Sequence, residues 1–237
     1  MKVFQLDEPE LEFATGRHVD IRFGISNYGP FDRGHKKRPS QIVTGVIGTH
    51  ETVKECREWL EKCRNEVRPE EGKAPSTRNP VFPGFSPDSP FEAEVVADES
   101  LSGVIRPADF RRIHGFDVHN DRVSKAVDLY LDQIERLKER GAEVIICTLP
   151  LELLALLKGV VLAVPEPDAL TEGDEADQAE SEEDAPEREW NFHDLLKARA
   201  MRHSTPLQLI RPSTWDSSYL SKEPDRPDWR ANSKTNH

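Results

Sequence analysis

The sequence predicts an α/β fold in which a parallel sheet is flanked by helices. A β-branched run over residues 41–47 is followed by helical spacing over 52–64, and helical spacing over 121–140 is followed by a continuous apolar run over 144–150. An apolar strand next to a helix is typical of a parallel sheet covered on both faces. Two such units in a chain of 237 residues favour a Rossmann-like sandwich with additional segments.

Residues 1–40 precede this core, and their pattern predicts short strands and turns. Apolar and polar positions alternate around 11–13 and 21–25, and Gly16 and Gly24 interrupt the alternation. A basic loop over 33–38 then leads into the core.

The core is predicted to run from residue 41 to residue 164. Its first unit consists of a strand, a turn at Gly48 and an amphipathic helix over 52–64. The helix of its second unit ends at Gly141, which is a common helix terminator. The apolar face of that second helix consists of Val123, Ala126, Val127, Tyr130, Leu131, Ile134 and Leu137.

A proline-rich loop over 68–90 separates the two units. We expect the aromatic pair Phe82 and Phe85 to anchor it. Strand-sized apolar pieces follow at 92–96 and 103–106.

The net charge of −12 is concentrated in one segment, residues 165–189, which carries 12 acidic residues and one basic residue. Such a composition cannot bury enough apolar surface to fold alone, so it predicts a disordered acidic insert. The pattern resumes with a helix over 192–201 and a short strand over 206–211, so we assign 190–215 to the end of the core. Residues 216–237 are predicted to form a frayed tail.

The sequence excludes several classes of protein. No stretch approaches the roughly 18 to 20 consecutive apolar residues of a membrane helix, and the first residues lack a signal peptide core, so we expect a cytoplasmic protein without a membrane partner. Cys56, Cys63 and Cys147 are too few for a disulfide framework and are expected in the core. Phosphate-loop, dinucleotide-binding, serine-hydrolase and zinc-protease motifs are missing from the sequence.

A polar cluster precedes the long helix and consists of His114, Asp117, His119, Asn120 and Asp121. These residue types can bind metals, but no second group is spaced to complete a site. We therefore interpret the cluster as a polar loop with a helix N-cap at Asn120 or Asp121.

His193 and Lys197 are four residues apart at the start of the helix over 192–201, and Gln208 lies on the next strand. At this spacing His193 and Lys197 share one helix face, near the N-terminus, where the helix dipole favours an anion. A lysine and an amide donor suit a phosphate group. The same pair is also common on solvated helix faces, so the pattern by itself leaves both interpretations open.

The order and spacing of several segments point to a known family. These segments are 8–13 (EPELEF), 20–25 (DIRFGI), 28–32 (YGPFD), 45–48 (GVIG), 82–85 (FPGF), 144–150 (VIICTLP), 195–198 (LLKA) and 205–210 (TPLQLI). Together they resemble the middle (MID) domain and the start of the Piwi region of short prokaryotic Argonautes, over residues 8 to about 214 apart from the acidic insert. The resemblance implies that residues 1–40 pack on a Piwi domain and that the tail is a Piwi remnant.

The resemblance also implies a function and its residues. In the family the MID domain binds the 5′-phosphorylated end of a small guide RNA or DNA. His193 then stacks on or caps the first nucleotide, while Lys197 and Gln208 hold the 5′-phosphate. Lys234 is the candidate for the fourth residue of the pocket, Thr205 and Arg211 are second-rank candidates for neighbouring phosphates, and a Mg²⁺ ion commonly assists at the guide phosphate.

The implied biological role is defence against invading nucleic acid by a catalytically inactive Argonaute. Its partners would be the guide, a complementary target and a separate effector protein. The chain lacks the nuclease residues of Piwi, and acidic residues such as Asp109, Asp117 and Asp132 do not form a two-metal site in this fold. We therefore expect no enzyme activity.

Three other functions remain open at this point. A MID-derived scaffold would dock an effector protein without binding a guide. An inactive remnant of a truncated gene would be poorly soluble because of unpaired strand edges. A small-molecule phosphate-binding enzyme is the third, although the sequence offers no nucleophile or acid–base pair for it.

Overall fold

The computed structural model describes residues 8–68, 81–158 and 190–221. Its elements are, in chain order, strands β1 (Leu11–Glu12) and β2 (Arg17–His18), helix α1 (Ile21–Tyr28), strand β3 (Gln41–Gly48), helix α2 (His50–Lys62), strands β4 (Glu94–Val96) and β5 (Ser102–Val104), helices α3 (Pro107–His114) and α4 (His119–Glu139), strand β6 (Val144–Thr148), helices α5 (Leu151–Leu157) and α6 (Phe192–Ala200), and strand β7 (Leu207–Ile210). Short 3-10 turns connect several of them, and two more follow β7. None of the described helices is long and apolar enough to cross a membrane.

The main sheet has the order β4-β3-β6-β7, and all of its pairings are parallel. β4 pairs with the first half of β3 and β5 pairs with its second half, so the two short strands share one edge. β7 forms the other edge among the described strands and pairs only with β6. This architecture confirms the predicted α/β class and is consistent with a Rossmann-like fold.

Helices cover both faces of the sheet. On one face α4 packs against Ile47 and Ile145, together with residues of α3, α5 and α6. The seven residues predicted for the apolar face of α4 are all buried, with at most 5% of the surface of any of them exposed. On the other face α2 packs Val53 and Leu60 against Val46 and Ile146.

The three cysteines are buried and free, as predicted. Burial raises the pKa of the Cys56 and Cys147 thiols to about 12, so both stay protonated and unreactive at neutral pH. The aromatic anchor of the proline-rich loop is also confirmed, since the Phe82 and Phe85 rings lie 5.0 Å apart and Phe91 packs against both.

The prediction of short strands was wrong for residues 21–28, which form α1. Asp20 explains the difference, because its Oδ1 accepts hydrogen bonds from the backbone N–H groups of Arg22 (2.8 Å) and Phe23 (3.0 Å) and so caps the helix. Gly29 ends the helix with a φ of 74°, a conformation that favours glycine. Strands β1 and β2 are only two residues each and pair with each other.

We expect this cap to weaken below pH 4. Hydrogen bonds from the Arg22 side chain and from the Phe23 backbone lower the pKa of the Asp20 carboxyl from its ordinary 3.8 to about 2. Because the pKa is lower in the folded protein, the cap stabilises α1 fully above pH 4, and this contribution is lost as the pH falls towards 2. The amide chemical shifts of Arg22 and Phe23 should titrate together in this range.

The Asp20→Asn variant is the matched control, since asparagine also caps helices but does not titrate here. Its amide shifts should stay constant between pH 5 and pH 2. A wild-type midpoint at pH 4 or above would contradict the assigned role of Asp20.

Other differences concern segments without local periodicity. α3 and α5 were not predicted, and α4 begins at His119 with Val118 at the N-cap, so the predicted cap at Asn120 or Asp121 was wrong. Of residues 216–219, predicted as the start of a frayed tail, Tyr219 is buried and bonded to Glu55 on α2, while 216–218 are exposed. The acidic insert 165–189 lies outside the described residues.

Glu55 on α2 holds this C-terminal segment. Its carboxylate accepts hydrogen bonds from the indole N–H of Trp215 at 3.0 Å and from the Tyr219 hydroxyl at 3.1 Å. Burial, followed by the nearby Glu55 charge, raises the pKa of Tyr219 well above its ordinary value, so its hydroxyl remains a donor at neutral pH. The segment thereby covers the α2 face of the sheet beside Trp59.

Candidate functional site

The crevice between the carboxyl ends of β3 and β6 is the usual ligand site of an open parallel sheet, because the chain leaves these strands towards opposite faces. Here it is filled by threonines. Thr52 Oγ1 lies 2.7 Å from Thr148 Oγ1, which also donates to the Ile47 carbonyl at 2.9 Å. A Cβ added at Gly48 would lie only 1.9 Å from Thr148 Oγ1. The conventional site is therefore closed.

An open cavity of about 570 Å³ lies one strand further along the sheet. It is bounded by the carboxyl ends of β6 and β7, the end of α5, and the beginnings of α4 and α6. Its apolar lining residues are Val123, Leu149, Leu154, Leu157, Trp190, Phe192 and Leu209, and its polar ones are His119, Lys158, Asn191, His193 and Arg211. The volume is in the range of small-ligand sites, and such a lining suits a ligand with an apolar ring and an anionic group.

The chain reaches α6 through Trp190 and Asn191, and the start of α4 holds this connection. Asn120 Oδ1 accepts a hydrogen bond from the Trp190 backbone N–H at 2.9 Å. His119 Nε2 lies 3.2 Å from the Trp190 carbonyl oxygen and donates to it, since a carbonyl can only accept. His119 and Asn120 therefore position the cavity wall. Among the described residues no cluster of histidine, cysteine or carboxylate side chains could hold a metal ion.

Asn191 caps α6, and its side chain uses two backbone N–H groups that could otherwise bind an anion at the start of this helix. Its Oδ1 accepts from the backbone N–H groups of His193 at 2.9 Å and Asp194 at 3.4 Å. The ring of His193 is exposed, and its Nδ1 lies 2.9 Å from Asp194 Oδ1. An anion at this helix start therefore depends on side-chain donors, and the Asp194 carboxylate opposes it.

The structure brings together only some of the residues that the sequence suggested. His193 and Arg211 line the same cavity. Lys197 is exposed one turn after His193 on α6, outside the cavity lining. Lys234 lies outside the described residues.

Gln208 and Thr205 have other surroundings. In β7 the side chains alternate, and Leu207 and Leu209 face the α6 side while Ile210 faces the α2 side. Gln208 therefore leaves the sheet on the α2 side, and its amide donates to the Leu209 carbonyl at 3.1 Å. Thr205 donates to the His203 carbonyl at 3.2 Å and does not line the cavity.

Sequence reasoning missed Lys158 and the structural role of His119 and Asn120. Lys158 follows α5 at the C-cap, and the three residues come from parts of the chain far from α6. No local pattern connects them to His193. The sequence feature that could have pointed to the cavity was the polar cluster at 114–121, because His119 of this cluster lines the cavity.

A magnesium ion does not fit the described lining of the cavity. Mg²⁺ prefers carboxylate, carbonyl and water oxygens, whereas the polar side chains here are those of histidine, lysine, arginine and asparagine. These groups suit an anion directly. We therefore derive no role for a metal ion at this site.

No protein-family model matches the chain, and no curated protein matches it. The functional interpretation of the cavity depends on its geometry and chemistry together with the resemblance of the sequence segments.

Proposed function

We propose that the chain binds the 5′-phosphorylated end of a small guide RNA or DNA, as the MID domain of a short, catalytically inactive prokaryotic Argonaute acting in defence. The observation that carries the proposal is the cavity at the start of α6, which combines an apolar wall with His193, Lys158 and Arg211. The apolar part of its lining suits a nucleobase, and its cationic part suits a terminal phosphate.

The chemistry of binding is non-covalent anchoring. The Arg211 guanidinium offers several donors in a planar arrangement that matches phosphate oxygens, and Lys158 adds a positive charge. Lys197 lies one turn after His193 on the exposed part of α6, outside the cavity lining, and its long side chain adds a third positive charge on this side of the molecule. Such contacts do not depend on base sequence, and they weaken as the salt concentration rises.

The test is fluorescence anisotropy with a short labelled oligonucleotide that carries either a 5′-phosphate or a 5′-hydroxyl. We expect at least about tenfold tighter binding of the phosphorylated end near 0.1 M salt. Arg211→Ala should weaken that ligand about five- to tenfold because it removes a charge from the cavity wall, and Lys197→Ala should weaken it less because Lys197 lies outside the lining, while the 5′-hydroxyl ligand is affected less by either change.

Two further variants sharpen the comparison. Asp194→Asn removes a negative charge beside His193, so it should strengthen binding of the phosphorylated end about two- to fivefold, an effect that salt reduces. Gln208→Ala decides between the resemblance, which assigns Gln208 to the phosphate, and the cavity, which Gln208 does not line. Equal binding of both ends, unaltered by any of these substitutions, would remove guide anchoring as the function.

A second candidate function is favoured by the N-terminal segment. Five large apolar side chains between residues 11 and 31 are more than 40% exposed: Leu11, Val19, Ile21, Phe23 and Phe31. Where such exposed apolar residues adjoin one another, they are typical of a protein contact surface. A scaffold that docks an effector protein through this segment would bind its partner equally well with and without an oligonucleotide.

A further inference from the structure

Residues 8–29, which comprise β1, β2 and α1, pack on one another, and we call them the N-terminal unit. Phe13 is buried at 7% exposure against Gly24, where an added Cβ would lie 2.0 Å from the end of the Phe13 ring. The centre of the Tyr28 ring lies 6.5 Å from that of Phe13. Neither of the two apolar clusters on the faces of the main sheet includes a side chain of this unit. The N-terminal unit therefore has a small apolar centre of its own.

The loop after this unit connects it to the core at Glu92. Arg33 Nε lies 2.6 Å from Glu92 Oε1, and Arg38 Nη1 lies 3.4 Å from Glu92 Oε2. Arg38 also donates to the carbonyl oxygens of Glu92 (3.3 Å) and Phe91, and it pairs with Asp32 at 3.0 Å. Charged side chains and main-chain oxygens make this connection, whereas burial of apolar side chains holds the other described elements to the sheet.

A cavity of about 300 Å³ lies between the end of α1 and the turn before β4. Asn27 lines it from α1, Asp88 lines it from the turn, and Arg33 and Glu92 also contribute to its lining. Such a polar lining gives the two sides little apolar contact area. Because separation would expose little apolar surface to water, the free energy that opposes it depends on the ion pairs.

The backbone of Glu92 does not require a glutamate. Its φ is 47°, in the left-handed region that favours glycine and asparagine. The Glu92 carboxylate is therefore important for its contacts with Arg33 and Arg38, not for the turn. The side chains of Glu92 and Arg33 are 30% and 49% exposed, and ion pairs at such positions are weak and are screened by salt. A modest change in conditions is enough to break them.

We propose that the N-terminal unit moves as a rigid body on the loop over 30–38, and that the ion pairs of Glu92 with its two arginine partners hold it in the observed position. Gly34 in this loop has a φ of 80°, and no described atom lies within 4 Å of a Cβ added there, so the chain is unconstrained at this point. Since Ile21 and Phe23 are exposed on the unit, the ion pairs also fix the direction in which these apolar side chains face. This inference is independent of guide binding.

The test is a pulsed electron paramagnetic resonance measurement of the distance between spin labels at Ile21→Cys on α1 and Glu135→Cys on α4. Both positions are exposed, whereas the three native cysteines are buried. With no further change and at low salt, we expect one narrow distance. Glu92→Asn suits the same backbone conformation and removes the negative charge, so the narrow distance should be lost. Salt at about 1 M, where the Debye length is about 3 Å, should also broaden the distances.

Asp109→Asn is the matched control. Asp109 likewise pairs with two arginines, Arg106 at 3.0 Å and Arg112 at 3.4 Å, but all three belong to α3 and its N-cap. This variant should keep the narrow distance at low salt. A narrow distance that persists in Glu92→Asn would overturn the proposal, whatever the effect of salt.

Hydrogen exchange distinguishes rigid motion from unfolding of α1. The Gly24 and Gly29 amides donate to the Asp20 and Ile25 carbonyls at 2.9 and 3.0 Å. Their protection should be the same in Glu92→Asn as in the wild type, because the unit moves with its own hydrogen bonds intact. Loss of this protection together with the narrow distance would show local unfolding, and the rigid-body proposal would then be wrong.

Discussion

Replacing Gly48 with alanine is expected to destabilise the protein by about 3 kcal/mol, which is a large fraction of the stability of a typical domain. A Cβ at this position would lie 1.9 Å from Thr148 Oγ1 and 2.5 Å from Thr52 Oγ1. Both hydroxyl groups are buried and hydrogen-bonded to each other, so neither can move away without losing that bond. Urea unfolding followed by circular dichroism would measure the loss.

Gly45→Ala is the matched control because Gly45 lies on the same strand. Its added Cβ would approach Leu137 Cδ1 at 2.9 Å, and the end of a leucine side chain can shift. We expect a cost of about 1 kcal/mol. A loss for Gly48→Ala that is no larger than this would show that the threonine-filled crevice is not tightly packed.

The closed crevice explains why the cavity lies where it does. In many parallel sheets the strands diverge at the point where the helices change faces, and the ligand enters there. The Thr52–Thr148 hydrogen bond seals that point and adds stability instead. Within the described residues, the cavity between β6, β7 and the start of α6 lies one strand away from this closed point.

The sequence was sufficient to predict elements whose side chains repeat with a clear period. α4 is the best case, because its seven predicted core residues are spaced along one face and all are buried. The apolar run of β6 and the β-branched run of β3 were likewise predicted close to their observed limits. In these elements burial of one face or of both faces determines the structure, and burial leaves a pattern in the sequence.

Other elements depend on single contacts, which leave no periodic pattern in the sequence. Apolar and polar residues alternate in the sequence of α1 as they do in a strand. The N-cap by Asp20 stabilises a helix there instead. α5 is almost entirely apolar, so it carries no amphipathic signal even though Leu153 and Leu156 are buried. The segment after β7 is ordered by Glu55, about 160 residues earlier in the chain.

The candidate site shows the same division. His193 was identified from a spacing within one helix, and the structure places it on a cavity. Lys158, His119 and Asn120 reach that cavity from other elements, and only the tertiary structure connects them. Gln208 shows a limit of reasoning along the chain, because alternation in β7 turns its side chain to the face of the sheet opposite to Leu209, away from the described lining of the cavity.

Phe192→Ala is expected to damage both the fold and the site. The Phe192 ring is 4% exposed and lies edge to face with the Tyr130 ring at 5.3 Å, and the Tyr130 hydroxyl donates to the Thr148 carbonyl at 2.7 Å. Truncation of a buried phenylalanine typically costs about 3 to 5 kcal/mol. Since Phe192 is the first residue of α6 and lines the cavity, its loss should also move the helix start that carries His193.

Phe192→Leu separates these two effects. It retains most of the apolar volume, so we expect a loss below about 1.5 kcal/mol and a preference for the 5′-phosphorylated end close to that of the wild type. Phe192→Ala should be measured at a temperature where unfolding experiments show that it is still folded. Its preference for the 5′-phosphorylated end should then be about tenfold weaker than that of the wild type, because cavity walls must be fixed to hold a ligand. If both variants bind alike, then Phe192 acts only on stability, and the position of His193 is set by Asn191 and by the contacts of Trp190 with His119 and Asn120.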